Sequence, residues 1–149
     1  MLVQSPVMNE QLLRDPDTSI LIVDDNQTYA EILVRMLSAL GFRRIDVRSS
    51  LTTAFDEISA GAAYRLLFID HHFPNGESGS ALLERLRDGG LMTDRAAFLI
   101  TSDPGADTVK RAVASGAIGI VVKPFERMDI ERQLDKAESA LRVESGESF

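Results

Sequence analysis

The chain contains no cysteine, no tryptophan and only two histidines among its 149 residues. The absence of cysteine excludes a disulfide framework, a thiolate zinc site, an iron–sulfur cluster and a cysteine nucleophile. The histidines, His71 and His72, are adjacent, so the i, i+4 pair of a helical zinc protease is missing as well. No apolar run approaches the roughly 20 residues that a membrane helix requires. The first 17 residues scatter Gln4, Asn9, Glu10, Arg14 and Asp15 among their apolar positions, unlike a secretory signal. The expectation is a cytoplasmic protein with no membrane insertion. Basic charge is also short, with 16 Lys and Arg against 23 Asp and Glu and a net charge of -7. Nucleic-acid binding draws its affinity from cations placed against phosphates, so a general nucleic-acid binder is disfavoured. The acidic charge is spread along the chain, as on an ordinary solvated surface.

What the chain does have is an apolar pattern that alternates between two periods. Hydrophobic residues make up 44% of it, enough for one packed core. Ile-Leu-Ile-Val at 20–23 is a continuous, mostly β-branched apolar run of the kind buried on both faces of a parallel sheet. Tyr29, Ile32, Leu33, Met36, Leu37 and Leu40 then follow helical spacing up to Gly41. The pattern repeats, with strands at 45–47, 66–69, 97–100 and 118–122 and helical faces at 51–58, through Leu82 and Leu86, to about Ser115, and at 130–141. Ser102 or Asp103 is expected to cap the fourth helix, with Pro104 in its first turn. Asn9 is expected to cap a short helix at 10–14. Five strands alternating with five helices predict an α/β fold, a doubly wound parallel sheet with helices on both faces. Residues 1–18 form an N-terminal extension, 19–142 the domain, and 143–149 a C-terminal tail.

Ligands of open parallel sheets bind beyond the carboxyl ends of the strands. At those ends lie Asp24 and Asp25, Asp70, Thr101 and Ser102, and Lys123. Taken singly, each has an ordinary role: helix caps for the aspartates and hydroxyls, a solvated surface lysine. Their coincidence at four strand ends is what those roles leave unexplained. Clustered carboxylates repel unless a cation joins them. With oxygen ligands alone, the expected cofactor is a hard ion, Mg²⁺ before Ca²⁺. A lysine and a hydroxyl facing such an ion suit the oxygens of a phosphoryl group.

These residues resemble the receiver domain of bacterial two-component response regulators, a CheY-like fold. The resemblance rests on Ile-Leu-Ile-Val-Asp-Asp at 20–25, Leu-Phe-Ile-Asp at 67–70 with Pro74 and Gly79 downstream, Leu-Ile-Thr at 99–101 and Val-Val-Lys-Pro-Phe at 121–125. It implies a flavodoxin-like strand order 2-1-3-4-5. It implies that Asp70 is the phosphoacceptor, supplied by a sensor histidine kinase or a histidine phosphotransfer protein. Mg²⁺ would be held by Asp24, Asp25, Asp70 and the backbone carbonyl of His72. Lys123 and Thr101 would bind phosphoryl oxygens, the Lys123-Pro124 bond would be cis, and the side chains of His72 and Asp103 would tune the lifetime of the phosphoryl group. An adjacent histidine pair projects to opposite sides of an extended chain, which disfavours a metal role for the imidazoles.

One departure is informative. Three residues before the lysine, where members of the family it resembles usually carry Tyr or Phe at a switch position, this chain has Ile120. Only seven residues follow Arg142, so the expectation is a stand-alone receiver, monomeric or weakly dimeric, that acts on an unknown downstream protein or within a phosphorelay, catalysing nothing beyond its own phosphorylation and dephosphorylation. The alternatives are a phosphorylation-independent interaction module of the same fold and a Mg²⁺-dependent phosphohydrolase. The hydrolase is disfavoured because neither Asp24 nor Asp70 begins an Asp-x-Asp motif, and no nucleophile elbow, Walker loop or dinucleotide fingerprint is present.

Overall fold

The computed structural model describes residues 15–144, with side chains described through Leu141. Among them, strands β1 (Ser19–Val23), β2 (Arg44–Arg48), β3 (Leu66–Asp70), β4 (Ala96–Thr101) and β5 (Gly119–Val122) alternate with helices α1 (Gln27–Ala39), α2 (Leu51–Ser59), α3 (Gly79–Asp88), α4 (Ala106–Ser115) and α5 (Arg127–Glu144). The sheet is parallel throughout, in the order β2-β1-β3-β4-β5. This is the doubly wound α/β fold expected. The chain runs outward from β1 to β2 and then back across to β3, and that reversal opens a crevice between the loops that follow β1 and β3.

The central strands have no exposed face. Every residue of β3 and β4 is buried, as is all of β1 after Ser19. With a period of 2, alternate residues feed opposite sides of the sheet. Ile20, Ile22, Phe68, Phe98 and Ile100 pack with Leu33, Leu37, Ile130 and Leu134 of α1 and α5. Leu21, Val23, Leu67, Ile69 and Leu99 pack with Ala54, Ile58, Leu82, Leu83 and Leu86 of α2 and α3. Phe68 and Phe98 stand in register across β3 and β4 with ring centroids 4.9 Å apart. Each such side chain contributes about 1.5–3 kcal/mol on burial. The edge strand β2, Arg-Ile-Asp-Val-Arg, is largely exposed, and its charges oppose pairing with another sheet.

Three helices begin on a side-chain cap. Asn26 accepts from Tyr29 N, Ser50 from Thr53 N and Ser78 from Ala81 N. The fourth does not. The expected cap at Ser102 or Asp103 does not form, and α4 starts after Gly105, which offers no side chain. The loop satisfies its own polar groups: Asp103 N donates to Thr101 Oγ1 at 3.0 Å, and Gly105 N donates to Asp103 Oδ1 at 3.3 Å. Pro104 therefore lies in the loop. At the other end of the sheet, Arg43 N donates to Pro16 O and the Arg43 side chain pairs with Asp17 at 2.8 Å, tying residues 15–18 to the α1–β2 connection. The last helix runs through Glu144, and the short helix expected at 10–14 lies outside the described residues. No helix among the described residues is long and apolar enough to cross a membrane.

Candidate functional site

Because all five strands are parallel, their carboxyl ends share one edge of the sheet. An uninterrupted apolar run cannot carry a charge within it, so the polar residues stand where each run stops. Asp24 and Asp25 follow Val23, Asp70 ends β3, Thr101 ends β4, and Lys123 follows Val122. One oxygen from each of Asp24, Asp25 and Asp70 lies within 4.8 Å of the others. Lys123 Nζ sits 3.0 Å from Asp70 Oδ1 and 3.4 Å from Asp24 Oδ2. The three groups are withdrawn from water: Asp24 is 3% exposed, Asp70 5%, and the Lys123 side chain 9%. Asp24 Oδ1 also accepts from Asn26 N at 2.8 Å, which fixes the carboxylate against the start of α1.

The charges do not balance. Burial pushes the Asp70 carboxyl above the ordinary carboxylate range, and the neighbouring charge of Asp24 pushes it further, against the pull of Lys123. Asp24 is likewise raised by burial, against the Asn26 N–H and Lys123. At Lys123, burial opposes the charged form but is outweighed by Asp70 and Asp24, which hold the ammonium above its ordinary value. With the exposed Asp25 alongside, one ammonium faces three carboxylates.

That donor set fits a hard divalent cation, which takes oxygen ligands and keeps several waters. His72 and Ser78 form an isolated antiparallel bridge, made by Phe73 N donating to Glu77 O at 3.1 Å and Gly79 N donating to His71 O at 3.0 Å. Neither bond uses the carbonyl of His72. The tight return of this loop requires glycine at 79, where a Cβ would stand 2.2 Å from the carbonyl oxygen of Asp70. A cavity of about 350 Å³, lined by Gln27, Ala30, Glu31, Val34, Val47 and Ser49, opens beside Asp24 and Asp25.

The structure thus brings Asp24, Asp25, Asp70 and Lys123 together. Thr101 is fully buried at the same edge, but its hydroxyl is engaged with Asp103, donating to the carbonyl at 3.2 Å and accepting the N–H at 3.0 Å. Asp103 itself is exposed. Ile120 lies half-buried in β5 against the α2 and α3 side of the core, and its carbonyl accepts from Gln133 Nε2 at 3.3 Å. The Lys123-Pro124 bond is cis.

The histidines correct an expectation. They do not project to opposite sides, because the chain leaves extended geometry after Asp70, and their rings meet edge to face with centroids 4.7 Å apart. His71 is buried with Ser80 Oγ 3.3 Å from its Nδ1, while His72 is exposed. Burial holds the His71 imidazole below its ordinary value.

Sequence reasoning missed Tyr29. The Lys123 ammonium lies over its ring, 4.4 Å from the centroid, and the same ring packs on Phe125 at 5.9 Å. Helical spacing marks Tyr29 as an inward residue of α1, yet no spacing signal links it to a loop more than ninety residues away.

Comparison with known proteins agrees with this fold. The family profile described as the response regulator receiver domain matches residues 20–135. The chain is 30% identical over 117 residues to the chemotaxis protein CheY of Pseudomonas aeruginosa, covering 78% of this chain and 93% of that protein. It is 26% identical over 116 residues to CheY1 of Helicobacter pylori. Among solved structures, FixJ-N superposes with a TM-score of 0.72 at 25% identity, covering 83% of this chain and 94% of the other. CheY4 of Vibrio cholerae superposes with a TM-score of 0.71 at 18% identity over 81% of this chain and 98% of the other, a likeness of fold.

Proposed function

The chain belongs to the receiver-domain family of response regulators, and on that footing we propose that it signals by accepting a phosphoryl group on Asp70 from the phosphohistidine of a sensor kinase or a histidine phosphotransfer protein. The observation that carries this reading is the placement of Asp70 Oδ1 3.0 Å from Lys123 Nζ, with oxygens of Asp24 and Asp25 within 4.8 Å.

In the transfer, a carboxylate oxygen of Asp70 forms the new bond to phosphorus as the phosphorus–nitrogen bond of the donor breaks, and the leaving imidazole takes a proton. Little covalent chemistry is left for the rest of the site, which works by placing positive charge against the moving phosphoryl oxygens. Lys123 is that charge on the protein's side, already between Asp70 and Asp24. Asp24, Asp25, Asp70 and the His72 carbonyl are the residues that would hold Mg²⁺. When bound, Mg²⁺ supplies the remaining charge that three carboxylates and a phosphoryl group demand. The Thr101 hydroxyl exchanges its bond to Asp103 for one to a phosphoryl oxygen, so that occupancy of Asp70 is communicated to the loop before α4. His72, exposed beside the acceptor, and Asp103 set water access to the acyl phosphate. The receiver unit comprises residues 19–142, acts in the cytoplasm as a monomer or weak dimer, and binds a downstream protein according to its phosphorylation state.

The test is incubation with a small phosphodonor and Mg²⁺, read by intact mass. Wild type is expected to gain one phosphoryl group and Asp70→Asn none. A wild type that neither gains mass nor responds to beryllofluoride overturns the reading in favour of a phosphorylation-independent module.

A further inference from the structure

The Lys123 ammonium has three directions in which to donate, and two of them end on Asp70 and Asp24. The third is closed by carbon. Nζ lies over the face of the Tyr29 ring, 4.4 Å from its centroid, well inside the roughly 6 Å within which an aromatic face attracts a cation. Tyr29 is itself braced. Its amide is capped by the Asn26 side chain at 3.1 Å, immediately after Asp24 and Asp25, and its ring packs at 5.9 Å on Phe125, two residues beyond Lys123. The aromatic pair therefore spans the gap between the loop after β1 and the loop after β5, with the ammonium held against it. Lysine is otherwise poorly suited to this position, because its four-carbon stem is flexible and its compact charge is strongly hydrated. An aromatic face offers the attraction while excluding water, and the lysine side chain is left only 9% exposed.

We propose that Tyr29 is a positioning residue of the site, whose ring face holds the Lys123 ammonium desolvated between Asp70 and Asp24 so that it meets the incoming phosphoryl group without reorganising. This rests on the assignment of Asp70 as acceptor. The role belongs to the π face and not to the hydroxyl.

Three replacements separate charge from shape: Tyr29→Phe, Tyr29→Leu, and pentafluorophenylalanine at position 29, which keeps the ring's outline while reversing its quadrupole. The first measurement is independent of phosphorylation. NMR of the Lys123 ε-methylene is expected to show ring-current displacement in wild type and Tyr29→Phe, and to lose it in Tyr29→Leu. The second is the rate of phosphoryl uptake from a small donor with Mg²⁺, followed by mass against donor concentration. Tyr29→Phe should stay within about twofold of wild type, whereas the leucine and fluorinated variants should fall by about 2- to 30-fold in maximal rate, with the donor concentration at half-maximal rate unchanged. A fluorinated variant as fast as Tyr29→Phe would mean that shape alone matters and would overturn the proposal. So would a Tyr29→Leu protein that is folded by circular dichroism and takes up phosphate at the wild-type rate. If wild type takes up nothing while the ring-current displacement is present, the acceptor assignment is what fails.

Discussion

Asp70→Asn should make the metal-free protein more stable. At an effective dielectric of about 20, opposite unit charges at the 3.0 Å separating Lys123 from Asp70 attract by ~5.5 kcal/mol. Like charges at the 4.8 Å that bounds Asp24 and Asp70 repel by at least ~3.5 kcal/mol. Replacing the carboxylate by an amide removes both, a net loss of about 2 kcal/mol. It also removes the penalty of holding an ion out of water, on the order of several kcal/mol for a buried ion. The balance favours Asp70→Asn by about 1–3 kcal/mol near neutral pH. The assay is urea unfolding followed by far-ultraviolet circular dichroism with a chelator present. Linkage gives a second check. Folded Asp24 and Asp70 hold their protons more tightly than the unfolded chain. Stability should therefore decline as pH rises from about 4 through the raised carboxyl values, and less steeply in the variant. Adding Mg²⁺ should stabilise wild type in proportion to the logarithm of its concentration above the dissociation constant and do little for Asp70→Asn. A variant no more stable than wild type in chelator, or a slope of opposite sign, refutes the reasoning.

Gly79→Ala sets a methyl group 2.2 Å from the Asp70 carbonyl oxygen and 2.7 Å from Ile69 Cγ2. Since backbone must move, it should cost about 2–4 kcal/mol in urea unfolding and weaken Mg²⁺ binding by calorimetry. Arg95→Met should cost about 2–4 kcal/mol and leave Mg²⁺ affinity unchanged. Its guanidinium donates to the carbonyls of Tyr64 at 2.7 Å, Ala62 at 2.6 Å and Leu91, at the opposite end of the sheet. In Tyr29→Phe the remaining tyrosine, Tyr64, should ionise near pH 12 by ultraviolet absorbance, pushed up by burial and by its 2.6 Å bond to Asp46. The folded state holds that phenolic proton more tightly than the unfolded chain. Stability from this group is thus full below about pH 10 and lost between there and about 12, and a transition at the ordinary value would refute the contact.

The elements were legible because the chain obeys two periods without conflict. Residues 20–23 and 66–69 have no polar interruption, and the structure buries them completely. The residue types at the strand ends were legible for the same reason: in a parallel sheet, sequence position after a strand becomes position on one edge. The start of α4 was not, because Thr101 and Asp103 engage each other and the following amide, and a propensity for capping does not reveal which partner a side chain will choose. The premise that the two histidines project apart failed because period 2 was extended two residues past the end of β3. The Tyr29 contact was beyond reach, since a cation over a ring depends on how far one helix sits from a loop on another strand.

Fold and site answer to one constraint. In β3 every residue from Leu66 to Asp70 is buried, and a shift of one position would exchange the two faces and draw Asp70 into an apolar layer. The register that packs Phe68 against Phe98 is thus the register that leaves Asp70 at the rim. β5 is different. It is four residues long at the edge of the sheet, and Val122, its last residue, is 41% exposed. Packing alone does not place the lysine that follows it. What the short strand lacks is supplied from α1, through Tyr29, and from the loop's own Phe125. If Asp70 accepts a phosphoryl group as proposed, the response is expected in the spacing of α1 from the β5–α5 loop, where the Tyr29 ring meets both Lys123 and Phe125.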